Sequence, residues 1–226
     1  SLQLQFTQNL LKETAAWTLL IDKEEDLAGL SADFIADAAQ RAEAAGHAGK
    51  WLVGLDNPSV MPFLQSADNR DLRVKVLDAY SNRCNNNNGS DNKDIVKEIV
   101  SLKHQKAVLL GYPTYAAWKI DGSMAGTPDA VYALLEQIWP KALEAAGREL
   151  ADIEALAKED GITTIHPADW RYYAAKAKAA NYAYDQEEVR NYLKFENVRD
   201  GIFYVSGKLF GLKFIKLTDV PVPNPE

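Results

Sequence analysis

The sequence is poorest in the residues that most often do covalent or metal chemistry, with one cysteine and three histidines among 226 residues. A lone Cys84 can form no internal disulfide and has no second thiol with which to share a zinc ion, so it leaves the redox compartment open. No histidine lies near it in sequence, and it reads as a small buried residue near a helix end, not as a reactive thiol. His47, His104 and His166 are far apart. His104 has no His, Asp or Glu three or four positions away, which makes it a solvated or packed imidazole and not a metal ligand. Positive charge is also short, with 25 Lys and Arg against 32 Asp and Glu and a pI near 5.1. Nucleic acid is excluded as a partner, because its binding draws affinity from clustered Lys and Arg on phosphates. No apolar run reaches membrane-spanning length, and the N-terminus lacks the basic-then-apolar plan of a signal peptide.

What is present is core material. A chain with 47% hydrophobic and 25% charged residues, including ten Tyr, seven Phe and five Trp, is globular and large enough to bury a core. The expected fold is mainly α, a multi-helix domain with one small two-stranded β element near the N-terminus, formed by residues 17–21 pairing with 51–55. Helices are expected over 3–16, over 31–45 with Ser31 as N-cap and Gly46 as stop, and over two segments broken near Ala67-Asp68-Asn69. Another is expected over 92–110, ended by Gly111, after a polar asparagine-rich loop. The longest starts at Thr127-Pro128-Asp129, a capping residue followed by proline at the first helical position. Its apolar stripe, Val131, Leu134, Leu135, Ile138, Leu143, Leu150, Ile153 and Leu156, reads as core packing, and Pro140 within it predicts a kink or a break. A sub-boundary is placed near 111–127.

One stretch holds the parts of an acid–base site. "TTIHPADWRYYAAK", residues 163–176, gathers His166, Asp169, Arg171, Tyr172 and Tyr173. Proline after His166 puts that histidine in a turn, and Pro167, Ala168 and Asp169 begin a helix with the carboxylate near its positive end. Tyr172 and Tyr173 then stand three and four residues from Asp169, within reach of it. A buried carboxylate accepting a phenolic hydrogen bond at a helix start is more often a structural lock than a catalytic pair.

A set of ordered motifs carries a resemblance: "KWLVGLDNPSVMPFLQSADNRDLR" (50–73), "AYSNR.NNNN..DN" (79–92), "LLGYPTYAAW" (109–118), "MAGTPDAVYALL" (124–135), "ADWRYY" (168–173) and "YLKFENVRDGIFYVSGKLFGLKF" (192–214). Each is weak alone, but the succession resembles the helical region of the thimet oligopeptidase family, the M3 zinc metallopeptidases, on its bacterial branch of peptidyl-dipeptidases and oligopeptidases A. The family's tyrosine pair usually follows Trp-Asp, whereas here Ala168 precedes Asp169 and Trp170 follows it. The resemblance implies one zinc ion bound by HExxH on a helix plus a later glutamate, two imidazoles sharing one helix face while the Glu takes a proton from the bound water. This chain contains no HExxH. The expectation is therefore an internal helical fragment of a larger zinc peptidase, with the catalytic zinc domain absent. It implies walls of a channel that admits short peptides, no catalytic or metal-ligating residue in this chain, no cofactor in the fragment and one zinc ion in the parent. Its partners would be short peptides and the missing catalytic domain. Substrate-binding residues are not assigned. The cytoplasm is the expected compartment, with periplasm or export left open because the parent's N-terminus is absent.

Two other classes compete: a stand-alone helical module binding a peptide or partner helix in an aromatic groove, and an independent hydrolase using Asp169 and a tyrosine. A fragment is expected to expose an apolar patch near the C-terminal helix and tail, where Ile202, Phe203, Val205, Leu209, Phe210, Leu212 and Phe214 crowd together. "LKFIKL" (212–217) alternates like a strand, so the tail should fold back, contact a second copy or be poorly ordered.

Overall fold

The computed structural model describes residues 1–182, 188–189 and 192–217. Two compact units divide the chain, residues 1–178 and 179–226. The larger begins with α1 (Leu2–Ala16), capped by the Ser1 hydroxyl accepting from the Leu4 amide. Strands β1 (Thr18–Ile21) and β2 (Trp51–Gly54) pair antiparallel, Thr18 opposite Gly54 and Ile21 opposite Trp51, in agreement with the sequence. Between them lie a 3-10 turn, Glu24–Leu27, and α2 (Ala32–Ala44), whose N-cap Ser31 accepts from the Phe34 amide.

Beyond β2, Asp56 caps α3 (Asn57–Ser66) and Asn69 caps α4 (Arg70–Ser81), its Oδ1 accepting from the Leu72 amide. The Ala67-Asp68-Asn69 break is thus a corner between two capped helices. Gly29, with φ +84°, meets this corner so closely that a Cβ there would lie 2.0 Å from the Ser66 carbonyl. Only glycine meets both demands. The main core fills the space between the strands, α3 and α4: Ile21, Val53, Leu55, Val60, Phe63, Leu64 and Val76 are buried, with Phe34 against Phe63 at 6.2 Å between ring centroids.

The remaining helices are α5 (Lys93–Leu109), a short α6 (Tyr115–Ile120), α7 (Pro128–Glu159) and α8 (Pro167–Tyr182). Thr127 caps α7 as expected, and the helix continues through Pro140 without a break. Its stripe departs from the core expectation. Ile153 and Ala157 are buried, but Leu134, Leu135, Ile138 and Leu143 are all more than half exposed. Periodicity specifies an apolar face and not what covers it; the C-terminal third of α7 packs against Tyr172 and Tyr173, and α6 also touches the helix.

The second unit contains α9 (Phe195–Phe210), which ends at Gly211 with φ +67°. Residues 212–217 form no strand among the described residues. The tail folds back instead, stacking Phe214 on Phe203 at 4.1 Å and 10°. Ile202, Val205, Leu209 and Phe210 are exposed, as the sequence predicts for this region. Residues 218–226 of the expected tail lie outside the described residues.

Candidate functional site

The stretch 163–176 folds where α8 starts, against the α3–α4 corner and the end of α7. Asp169 is fully buried. Its carboxylate accepts from Arg70 Nε at 3.0 and 3.1 Å, from Arg70 Nη2 at 2.8 Å, from Arg73 Nη2 at 3.1 Å and from the His166 amide at 2.9 Å. The Asp169 amide returns a bond to the His166 carbonyl, and His166 Nδ1 accepts from the Ala168 amide, so the histidine closes the helix start. Arg73, itself 1% exposed, also donates to the carbonyls of Ala67 and Asp68 and lies 4.0 Å from the centre of the Tyr172 ring. Among the described residues, its Nε is the one buried side-chain nitrogen or oxygen without a partner.

The tyrosines do not contact Asp169 as their spacing suggests. Tyr172 donates to Asp68 at 2.7 Å, and Tyr173 donates to Asp160 at 3.0 Å, while their rings meet edge to face. A phenol extends well past the short carboxylate of a residue one turn back, and two guanidiniums already occupy the Asp169 oxygens. Lys176 bonds Asp160 and lies over both rings. A lock is what forms, but it joins three segments of chain and not one helix turn.

Protonation states agree. Burial disfavours the Asp169 anion, yet the bonds from Arg70, the His166 amide and Arg73 outweigh it and hold the carboxyl at about 2, against an ordinary 3.8. Burial and the anion of Asp160 push Tyr173 up to about 12. A general acid or base works best with a pKa near the operating pH. These two groups are displaced away from neutrality in opposite directions, so neither exchanges a proton there. Asp169 with either tyrosine therefore makes no acid–base pair.

Arg171 and Trp170 belong to a different surface. With Leu150, Glu154, Thr163, Thr164, Ile165 and Pro167 they line an open groove of about 850 Å³ beside the lock. His47 and His104 are exposed and do not line it. Among the described residues no three His, Cys, Asp or Glu side chains are placed to hold a metal ion, and no helix is long and apolar enough to cross a membrane. Cys84 is buried just after α4, at φ +59°, where burial pushes its thiol pKa up, consistent with the unreactive reading.

Sequence reasoning missed Arg70 and Arg73. Their signal was present: two arginines three apart on one helix face, next to a capped corner.

Residues 63–225 match the sequence profile described as Peptidase family M3. The chain is 35% identical over 224 residues to the dipeptidyl carboxypeptidase of Escherichia coli (strain K12), covering 98% of this chain and 33% of that protein. It is 35% identical over 227 residues to oligopeptidase A of Salmonella typhimurium, covering 98% and 33%. With the probable thimet oligopeptidase of Arabidopsis thaliana it shares 28% over 222 residues, 98% and 30%. The chain thus spans about a third of the length of these curated relatives.

Proposed function

We propose, from the premise that the chain belongs to peptidase family M3, that it is a non-catalytic helical part of a zinc metallopeptidase which hydrolyses short peptides. Its helices would form walls of the channel through which extended peptides reach a zinc ion held elsewhere in the protein. The observation that carries this reading is the division within the chain between a locked interior and open apolar faces. Asp169, Tyr172, Tyr173 and Lys176 of the 163–176 stretch are engaged in the lock, and Arg171 lines the groove beside it. Tyr132, Leu134, Leu135, Ile138, Trp139 and Leu143 of α7, by contrast, form a run of exposed apolar side chains, of the kind seen where something else packs or binds. The same run supports the alternative of a stand-alone module that binds a peptide or helix.

Among the described residues there is no set of three ligands placed to hold a metal ion, which a catalytic zinc site needs beside an open position. The 226-residue chain should therefore neither hydrolyse fluorogenic short peptides nor retain stoichiometric zinc after dialysis. A chimera in which it replaces the matching third of the E. coli dipeptidyl carboxypeptidase should hydrolyse short peptides in a chelator-sensitive way. Chelator-sensitive turnover by the chain alone would overturn the reading, and a folded but inactive chimera would favour the module.

A further inference from the structure

The asparagine run between α4 and α5 is not a slack connection but is organised around one carboxylate on α1. Glu13 accepts from Asn86 Nδ2 at 2.7 Å, from Asn88 Nδ2 at 2.5 Å and from the Cys84 amide at 3.1 Å. The loop bends sharply to make these bonds, with Cys84 at φ +59° and Asn87 at φ +52°, conformations that non-glycine residues seldom adopt. Asn88 is held on both sides of its amide group: Nδ2 by Glu13, and Oδ1 by the Ser90 amide at 2.8 Å. The residue after it is Gly89, the chain's one Asn–Gly step. Gly89 is exposed, has nothing within 4 Å of where a Cβ would stand, and its amide makes no hydrogen bond within the described residues.

We propose that Asn88–Gly89 is a spontaneous deamidation site gated by Glu13, so that loosening of α1 at Glu13 becomes one-way. The Gly89 nitrogen gives its proton to solvent and attacks Asn88 Cγ. Nδ2 takes a proton from solvent, the Cγ–Nδ2 bond breaks, ammonia leaves, and a five-membered succinimide forms. Water then opens the ring to aspartate or isoaspartate. Glycine favours this closure because no side chain hinders its nitrogen. Closure also detaches Nδ2, the atom that Glu13 holds, and so breaks that bond. The docked α1 therefore restrains the reaction, and each opening of the Glu13 contact permits it.

The product docks less well at Glu13, leaving α1 held by Arg83 on Thr14 and by Asn92 on the Phe6 carbonyl. Where Asn88 offered an N–H donor 2.5 Å from Glu13, the product presents a second carboxylate to a first one. The Asn88 bond, against the cost of burial, is the main cause holding the Glu13 carboxyl below its usual range, and that bond is lost. Isoaspartate also adds a backbone carbon to a loop whose bends leave no slack.

Incubation of the full chain at neutral pH, followed by peptide mass spectrometry with isoaspartate detection, tests this. Glu13→Ala should accelerate conversion at Asn88 on the order of tenfold or more, since a charge-assisted hydrogen bond is worth that factor. Gly89→Ala should slow it in both backgrounds. Hydrogen exchange on Asn88→Asp should show faster exchange in residues 2–16, and Asn86→Asp, which also sets a carboxylate against Glu13, should do the same without a succinimide step. Equal conversion rates in the parent chain and Glu13→Ala would overturn the gating. Unchanged protection of α1 in Asn88→Asp would overturn the latch.

Discussion

Replacing Asp169 by asparagine keeps the volume of a fully buried side chain and removes its charge. The partners most affected are Arg73, 1% exposed, and Arg70, whose side chain is 41% exposed. Arg70 can turn to water. Arg73 cannot, and its Nη2 would face an amide that offers one acceptor where the carboxylate offered two. Removing one partner of a buried pair costs about 3–5 kcal/mol, because the remaining charge stays buried and uncompensated. A second route gives a floor. The Asp169 pKa falls from 3.8 to about 2 on folding, and at about 1.4 kcal/mol per pH unit the anion stabilises the fold by about 2 kcal/mol relative to its protonated form. The mutation should exceed this floor, since protonation leaves Arg73 its best geometry and substitution does not. The folded pKa is depressed, so this stability is present in full above the unfolded value of 3.8 and is lost as pH falls towards about 2. Urea unfolding followed by circular dichroism should show Asp169→Asn less stable by about 3–5 kcal/mol at neutral pH, with the gap to the parent chain narrowing in acid. A gap below about 0.5 kcal/mol, the range of a neutral surface change, would refute the reasoning. So would a gap that stays constant through the acid range.

Tyr172→Phe removes the donor to Asp68 while leaving the ring under Arg73, and should cost about 1 kcal/mol in the same assay; Asp68 is free to find water. On α7, Ile153→Ala should cost about 2–5 kcal/mol for a lost core side chain. Leu134→Ser, on the exposed part of the same stripe, should stay within about 0.5 kcal/mol; equal costs at the two sites would show that the whole stripe is covered in solution.

Local signals in the sequence were read correctly where the physics is local. Ser31 and Thr127 cap the helices their positions announce, since a cap needs only its own amides a turn away. The strand pair followed from there being two short branched and aromatic runs and nothing else to pair them with. Asp169 was recognisable as a lock, but its partners stand 96 and 99 positions away. Helical spacing orders neighbours on one helix and is blind to contacts of that kind. It therefore offered the tyrosines, the nearest donors along the chain. The α7 stripe failed for a related reason: an amphipathic pattern records that a face is apolar, while its burial depends on which other segments reach it. The asparagine run read as an ordinary connection because its organising carboxylate, Glu13, lies more than seventy residues earlier.

The separation between Arg73 and Asp169 also sets a timetable for synthesis. When α3 and α4 leave the ribosome, Arg73 has its bonds to the Ala67 and Asp68 carbonyls but not yet its counter-ion. Another 96 residues must follow, which at ordinary elongation rates takes roughly 5–20 s. For that interval the corner carries a guanidinium that it cannot bury without penalty, and the aromatic ring that covers it has not been made. The nascent N-terminal segment should therefore stay loosely closed at this corner, open to chaperones, until the start of α8 emerges and completes it.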